Sequence, residues 1–494
     1  MKKTVFLSAV AIFGLGSIGD VLAQNESDAL RYSQLQFGGT ARIQGLAGAQ
    51  TALGGDLSSL NGNPAGLGMY RRSDFGLSTA LSFGSMSTRF LGQTAVDNKD
   101  NFNIPQFGFV LTNYKGDNSD DDWRSFSFGV SFARQAHYHN HKNFSGINNQ
   151  NSLNQAIVNN AYLEDIAYNS YLINEDADGQ LVPVLGNAFF QDGGRVRQSE
   201  QLYSRGAANQ WDISLGTNYR DKLFLGASIG LTSVNYRQTR SYTEQNLSDS
   251  TALNSFVIND RFHTTGGGVN LKIGAIARPV DWLRIGATIQ TPTYNSLHDT
   301  YSAGVGASFS EDTVVFADGT PVVLADGRNP SSSFAGEFDY NLSTPFRASG
   351  GIAVFAGKYG FVSADIEYVN YAQARFSTDN PADDFATTNN LIKNSYASAI
   401  NLRLGAEARY EIFRIRAGYA KYGDPMAHSS IDQSRTYYTG GVGVKQERFY
   451  FDLAYVHSFY DSAYQPYTLP EASTPAAITT NTYNTVMATF GVTF

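Results

Sequence analysis

The chain contains no cysteine. That excludes a disulfide framework and a lipid anchor attached through a cysteine. It is also short of charge: 16% of its 494 residues are charged and the formal net charge is −8, which argues against nucleic acid as a partner. Long apolar runs are missing too, since nothing beyond the N-terminus approaches the ~18 residues that a membrane helix needs. No linker rich in proline or serine divides the chain, although a length-based prior would suggest about three domains. Nor is there a catalytic signature. The one well-placed mid-strand histidine, His457, has no nucleophile motif beside it, so no enzyme activity is expected.

What is present is glycine and aromatic residues: 48 Gly, 29 Tyr and 33 Phe. Glycine eases strand curvature, and aromatics supply the girdles of a membrane barrel. At the N-terminus Lys2 and Lys3 precede an apolar run, Val5 to Ile18, and Val21-Leu22-Ala23 makes a small-residue cleavage site. Residues 1–23 therefore read as a secretory signal peptide, with the mature chain starting near Gln24. An exported chain without membrane helices or disulfides points to a Gram-negative cell envelope.

The alternation is clearest at the C-terminus. Val486, Ala488, Phe490, Val492 and Phe494 share one strand face, and Met487, Thr489, Gly491 and Thr493 the other. A free strand with a wholly apolar face is an aggregation hazard. The pattern makes sense if that face meets lipid and the strand closes a barrel with the first one. Similar segments recur from Asp74 (with Phe75, Leu77, Thr79, Leu81 and Phe83 on one face) through Asn103–Lys115, Trp123–Gln135, Gln210–Arg220, Leu223–Tyr242, Phe262–Arg278, Leu283–Leu297, Phe338–Phe355, Phe361–Thr378, Ala397–Tyr410, Phe413–Tyr422, Thr436–Lys445 and Phe449–Tyr460. The fold class is thus all-β, a transmembrane antiparallel barrel of about 14 strands over residues 73–494. Short connections such as Asp221-Lys222 and Glu411-Ile412 alternate with long ones at 137–209, 301–337 and 461–482. Short periplasmic turns and long external loops are the rule for such barrels, which puts both termini in the periplasm of an outer-membrane protein. Residues 24–72 do not alternate and are too polar for lipid; irregular backbone is tolerated inside a barrel, so they are expected to form a plug.

Gly45-Leu46-Ala47-Gly48-Ala49-Gln50-Thr51-Ala52-Leu53, followed by Asn61-Gly62-Asn63-Pro64-Ala65-Gly66-Leu67, resembles the N-terminal hatch of the FadL/TodX family of hydrophobic-compound transporters. Thr344-Pro345-Phe346-Arg347, Ser349-Gly350-Gly351 and Ser363-Ala364-Asp365-Ile366-Glu367-Tyr368 resemble that family's later strands. The resemblance implies a barrel of fourteen strands closed by its own hatch, with hydrophobic substrates, typically fatty acids or aromatic hydrocarbons, leaving sideways into the membrane. It also implies that Asn63, Pro64 and Ala65 lie near an inward kink of one strand, the third in chain order, around Ser127–Ala133. No cofactor is implied. The terminal Phe494 resembles the signal that such barrels present to their assembly machinery, and the remaining partners would be a hydrophobic small molecule and the lipid and lipopolysaccharide of the outer membrane. Non-transporting relatives that serve protein secretion or surface attachment share this architecture, and a haem-binding barrel is a third alternative.

Inward positions carry charge: Arg347, Asp365, Glu367, Arg403, Glu407, Arg409, Arg414 and Arg416. They form either an ion-pair network that holds the hatch or, at Arg347, a guanidinium that grips a substrate carboxylate. His137, His139 and His141 alternate at the end of the third strand, where one shared face could bind a metal or haem iron. Asn174-Glu175-Asp176-Ala177-Asp178-Gly179 imitates a calcium loop, but Leu185 stands where the bidentate Glu belongs. The acidic run 117–122 reads as a solvated turn. Ser152 and Gln155 form a capping-box signature for a short helix over the barrel mouth.

Overall fold

The structure, a computed structural model, describes residues 25–116, 120–158, 160, 163–315, 319–325, 327–380, 384–469 and 474–494; the expected signal peptide, residues 1–23, lies outside them. Alternating sequence becomes strand throughout. The strands are β1 (Asp74–Phe90), β2 (Gln93–Tyr114), β3 (Trp123–His137), β4 (Val196–Tyr219), β5 (Leu223–Asn246), β6 (Leu253–Val280), β7 (Leu283–Gln290, resumed at Tyr294–Phe309), β8 (Ser331–Ser343, resumed at Arg347–Phe355), β9 (Gly360–Asn370, resumed at Arg375–Ser377), β10 (Ser398–Tyr410), β11 (Phe413–Tyr422), β12 (Arg435–Lys445), β13 (Phe449–Tyr464) and β14 (Ala477–Thr493). Each pairs antiparallel with its neighbours, and β14 returns to β1 in a ladder from Asp74↔Thr493 to Arg89↔Ile478. A closed barrel of 14 strands results. Closure leaves no edge strand, so the backbone groups of the membrane-facing ladder are satisfied without water.

The face that alternation assigns to lipid does point outward. Phe75, Leu81, Val486 and Phe490 are 46–52% exposed, while Ser78, Met487 and Thr489 are buried on the other face. Ser78 and Thr489 hydroxyls meet at 2.7 Å across the β1–β14 seam. At the short-turn end, Ser73 and Phe494 exchange backbone hydrogen bonds of 3.0 Å, fixing the register of closure.

Several strand bounds differ from the expected ones. β4 begins at Val196 rather than Gln210, β2 at Gln93 rather than Asn103, and β6 at Leu253 rather than Phe262. The supposed loops 137–209, 301–337 and 461–482 thereby shrink to the connections after Asn148, Phe309 and Tyr464. The reason is physical. Alternation of apolar with polar residues stops where the hydrocarbon stops, but a ladder can continue in water with both faces polar. In the other direction, Pro292 interrupts β7 and Pro345 interrupts β8, because proline has no N–H to give to a ladder. The two breaks are neighbours, bridged by the Thr293 N–H donating to Thr344 Oγ1 at 3.0 Å.

Buried apolar clusters fill the space inside at two levels. Nearest the long connections, Leu153, Ile157, Ile166, Leu172 and Phe189 pack on the inward side chains Tyr242, Phe256, Ile258, Ala303 and Val305. Below, Ala29 and Tyr32 pack with Tyr138, Tyr236, Leu297, Tyr340, Phe376 and Ile392.

Candidate functional site

The segment from Asn25 to Tyr70 is a chain of short turns, each started by a polar cap. Asn25 caps Glu26–Ser33, Thr40 caps Ala41–Gln44, Asp56 caps Leu57–Leu60, and Asn63 caps Pro64–Met69 with proline in the first turn. Such short pieces leave most carbonyls without an intrahelical partner. Inward-facing side chains of the barrel supply what is missing: Ser214 donates to Leu60 O (3.0 Å), Arg284 to Leu53 O (2.7 Å), Ser363 to Ala49 O (3.1 Å) and Thr439 to Gly45 O (3.0 Å). Lys272 Nζ donates to Asn61 O, and Ala41 N–H donates to Thr489 Oγ1 at 2.7 Å. These partners stand on β4, β6, β7, β9, β12 and β14. Sequence reasoning missed them individually; the signal was a polar residue in the inward phase of each strand.

Asn63 joins two parts of the segment, its own turn and the stretch at Thr51. Its Oδ1 accepts the Ala65 N–H (3.1 Å), and its Nδ2 donates to Thr51 O (2.7 Å). Two strands make room for it with glycine. A Cβ on Gly274 of β6 would fall 1.8 Å from Asn63 Oδ1, and one on Gly226 of β5 would fall 2.2 Å from the Pro64 carbonyl carbon. Asn63, Pro64 and Ala65 therefore rest on β5 and β6, not beside β3 as the resemblance implied. It is Leu60 that touches Gly129 of β3.

The expected charges come together on β8 to β13. Asp365 Oδ2 accepts the N–H groups of Gln50 and Thr51 at 2.8 Å each and the Thr51 hydroxyl at 2.7 Å. Glu367 takes Arg347 (3.1 Å), Arg403 (2.9 Å) and Asn401 (2.8 Å). Arg347 also donates to Ser33 O of the N-terminal segment, so both arms of its guanidinium have partners. Glu407 binds Arg409 and Arg416 at 2.7 Å each and Arg42 at 3.4 Å; Arg416 passes the charge on to Asp452 at 2.6 Å. Burial alone would lower the Arg42 pKa, but Glu407 and Asp56 raise it above its ordinary value, so Arg42 is held as a cation. Arg414 does not join this network. It sits at the β10–β11 turn and donates to the carbonyls of Glu411 and Phe413 at 2.7 Å each, because its position falls one residue pair beyond the buried rows.

Between β2 and β3 the wall of the barrel is interrupted. Pairing of β2 with β3 runs from Tyr114↔Ser125 to Gln106↔Ala133 and stops, one residue short of Pro105, which has no N–H to continue it. Beyond that point Gln93–Asn103 pairs with β1 alone. After His137 the third strand resumes as Asn140–Asn148, paired only with β4. This extension has moved inward: Asn140 donates to Asn481 (3.3 Å) and Lys142 to Ser462 (3.5 Å), and Tyr483 donates to His139 O (3.3 Å). The β1–β2 hairpin covers it from the other side, with Asn143 N–H donating to Asp97 Oδ2 at 2.8 Å. The departure thus begins where the expected stretch Ser127–Ala133 ends.

That break sets His141 apart from His137 and His139, which line one cavity. His137 meets the Tyr483 ring edge-on at 5.2 Å, whereas His141 stacks on Tyr203 at 3.9 Å and lies 3.5 Å from Asp97. Among the described residues no group of three or more His, Cys, Asp or Glu is placed to hold a metal ion. The calcium-like sequence is a hairpin turn between Ile173–Glu175 and Leu181–Pro183, where Asp176 Oδ1 accepts the N–H of Asp178 and of Gln180. The capping box at Ser152 and Gln155 is formed, and Glu244 of β5 ties it down: it accepts from Ser152 Oγ, Leu153 N–H (2.8 Å), Gln198 (2.9 Å) and Tyr242 (2.7 Å). His457 is on the outward face of β13 and bonds Asn484 at 2.9 Å. Between the upper cluster and the N-terminal segment lies a polar cavity of about 180 Å³, lined by Arg31, Gln34, His137, Arg435, Tyr460 and Tyr483 among others.

Three solved structures share this architecture over most of their length. A Pseudomonas aeruginosa FadL homologue superposes with a TM-score of 0.55 at 11% identity, covering 93% of this chain and 98% of that one. The P. putida toluene transporter TodX gives 0.52 at 13% identity, over 93% and 99%. The Ralstonia pickettii toluene transporter TbuX gives 0.50 at 14% identity, over 93% and 99%. No protein-family model and no curated protein sequence matches the chain. The barrel has the FadL-type fold.

Proposed function

We propose that this FadL-type barrel passes hydrophobic compounds across a Gram-negative outer membrane without a cofactor, admitting them at the long-connection end and releasing them sideways. The observation that carries the reading is the interrupted wall, where Gln93–Asn103 lacks a partner on the β3 side. An apolar chain gains ~0.8 kcal/mol per methylene removed from water, so a route into lipid avoids the aqueous end of the barrel. The N-terminal segment, residues 24–72, acts as the hatch, and the charges of β8 to β13 hold it. Both termini face the periplasm, with Phe494 presented to the assembly machinery.

Long-chain fatty acids are the favoured substrate. The lumen cavity is polar and holds Arg435, whose guanidinium donates to Gln34 and lies 4.4 Å from the Tyr460 ring centre, and among the described residues it has no carboxylate partner. A substrate with an anionic end suits it better than a pure hydrocarbon. The same polarity favours a second reading, a non-transporting barrel for protein secretion or surface attachment, over a haem-binding one.

The test is uptake of labelled oleate and labelled toluene by cells lacking their own transporter, with this chain or its Pro64→Gly variant at equal surface levels. Oleate uptake that falls in the variant is expected. Toluene uptake alone would replace the substrate, and uptake of neither by a folded barrel would leave the secretion reading.

A further inference from the structure

The outward faces of β4, β5 and β6 change character along their length. One row, Trp211–Leu231–Val269–Tyr294, is apolar and aromatic and marks the interface girdle. Six residues further on, in the same phase and with no register shift on β4, β5 or β6, the row reads Arg205–Arg237–His263–Thr300. Between the two rows the outward positions are small or polar: Ala207, Asn209, Ser233, Asn235, Thr265 and Gly267.

Arg205 and Arg237 are direct cross-strand partners. Like charges so placed repel at about 5 Å and destabilise the sheet. Arg261 follows one row up, and Lys99 reaches in from β2 across the break in the wall. Together with Tyr203 and His263 they line an open cleft of about 750 Å³. None of these four cations has an acidic partner among the described residues. Glu337, the first carboxylate along the row, stands opposite Thr300, two strands from His263, and Asp339 is taken by His298 at 2.8 Å. A cluster of uncompensated cations on a built concave surface calls for an anion.

The level of the cleft identifies which anion. Six residues at ~3.3 Å each, on strands tilted ~40°, put the row about 15 Å beyond the girdle. Phospholipid headgroups occupy only about 5–8 Å per leaflet. We propose that the cleft binds phosphate groups carried on the headgroup sugars of a phosphorylated glycolipid in the outer leaflet, with Arg205 and Arg237 gripping the phosphate and Lys99 and Arg261 adding charge. The inference rests on the outer-membrane placement proposed above. A glycolipid held there stands at the outer end of the break in the wall, near Lys99, whereas the inner end of the break carries the exposed apolar Phe102 and Ile104.

The experiment uses the full mature barrel, purified in a nonionic detergent, with native mass spectrometry and fluorescent-glycolipid titration as readouts. The probes are lipopolysaccharide, the same material enzymatically dephosphorylated, phosphatidylglycerol and inorganic phosphate. The expected result is one tightly retained lipopolysaccharide, at least tenfold weaker binding of the dephosphorylated form, and at least tenfold weaker binding by Arg205→Gln/Arg237→Gln. Lys358→Gln, in a turn at the opposite end, should bind like the parent. Heat-modifiable gel migration confirms that each variant is folded, and Arg261→Gln gives a milder second variant with a partial loss. Equal binding of the dephosphorylated lipid, equal binding of phosphatidylglycerol, or full retention by the double variant would overturn the assignment. Competition by inorganic phosphate at equal concentration would reduce the site to a free-phosphate site and overturn it too. Cell fractionation separates the two levels: a barrel recovered in the outer membrane that fails these tests sinks the glycolipid site alone.

Discussion

Asp365 holds Thr51 by two hydrogen bonds to one carboxylate oxygen, from the backbone N–H at 2.8 Å and from the hydroxyl at 2.7 Å. Asp365 belongs to the barrel wall and Thr51 to the N-terminal segment, so this contact couples the moving part of the proposed hatch to the fixed part. Hydrogen bonds to a charged group contribute about 1.5–3 kcal/mol each. Asp365→Asn is expected to loosen the turn around Gln50 and Thr51 by about 2 kcal/mol, which is roughly a thirtyfold faster local opening. Hydrogen exchange at those two amides checks it, with exchange in β1 and β14 unchanged. Unaltered protection at Thr51 would mean that the segment is held elsewhere.

Gly274 and Asn63 test the fit of the segment against the wall. A Cβ at residue 274 meets Asn63 Oδ1 at 1.8 Å, closer than any real contact. Gly274→Ala is therefore expected to displace the turn at residues 61–66, and Asn63→Ala should relieve much of that conflict while itself costing about 0.5–2 kcal/mol through the lost cap. Because the chain has no cysteine, a single engineered cysteine at Ser59 reports the displacement by its labelling rate. A fast rate in Gly274→Ala that slows in the double variant is the expected pattern. Additive effects would show that the two residues act independently.

Much of this architecture is legible in the sequence, and the limits of legibility follow from physics. The lipid-facing phase of β14 can be read from Val486 to Phe494 because hydrocarbon imposes a strict choice at every second residue. Val196–Asn209 on β4 cannot be read that way, since water satisfies either face and the ladder alone keeps the strand going. The charges Glu367, Arg403, Glu407 and Arg416 are legible as inward and mutually close because antiparallel register places them so. Their partners Arg42 and Asp56 are not, because no periodicity governs a segment made of caps and turns. Arg414 looked equivalent to Arg416 by parity; only the position of the turn separates them. The inward departure after His137 leaves one trace in the sequence, Pro105 on the strand opposite, which acquires meaning only once the β2–β3 register is known.

Glu407 is the hub that three arginines share. Removing one member of a buried ion-pair set leaves uncompensated charge and costs about 3–5 kcal/mol. Glu407→Gln is expected to lower the thermal midpoint of the N-terminal segment's protection while the heat-modifiable barrel persists, and to raise single-channel conductance in a planar bilayer. Glu407→Asp, which keeps the charge, should behave closer to the parent. A conductance unchanged in Glu407→Gln would show that the charge network does not govern closure at this end.

Closure at the opposite end depends on Glu244, which is fully buried and gathers donors from Ser152, Leu153, Gln198 and Tyr242. Glu244→Ala leaves Gln198 its bonds to Asn151 O and the Tyr467 hydroxyl but takes the acceptor from Ser152 Oγ, Leu153 N–H and Tyr242 OH, each at about 1–3 kcal/mol if it stays buried. The connection carrying the Leu153–Ile157 helix should therefore detach from the inward faces of Tyr242 and Phe256. Leu153→Ala attacks the same contact through packing alone, at about 2–5 kcal/mol. Limited proteolysis between residues 150 and 195 should accelerate in both variants, with the barrel strands protected. If the helix merely covers the mouth, substrate uptake rises with cleavage, because the path widens. If the helix forms part of the capture surface, uptake falls in both variants although the mouth is open. The two outcomes are opposite in sign, so paired proteolysis and uptake measurements on the same cells decide which role the helix plays.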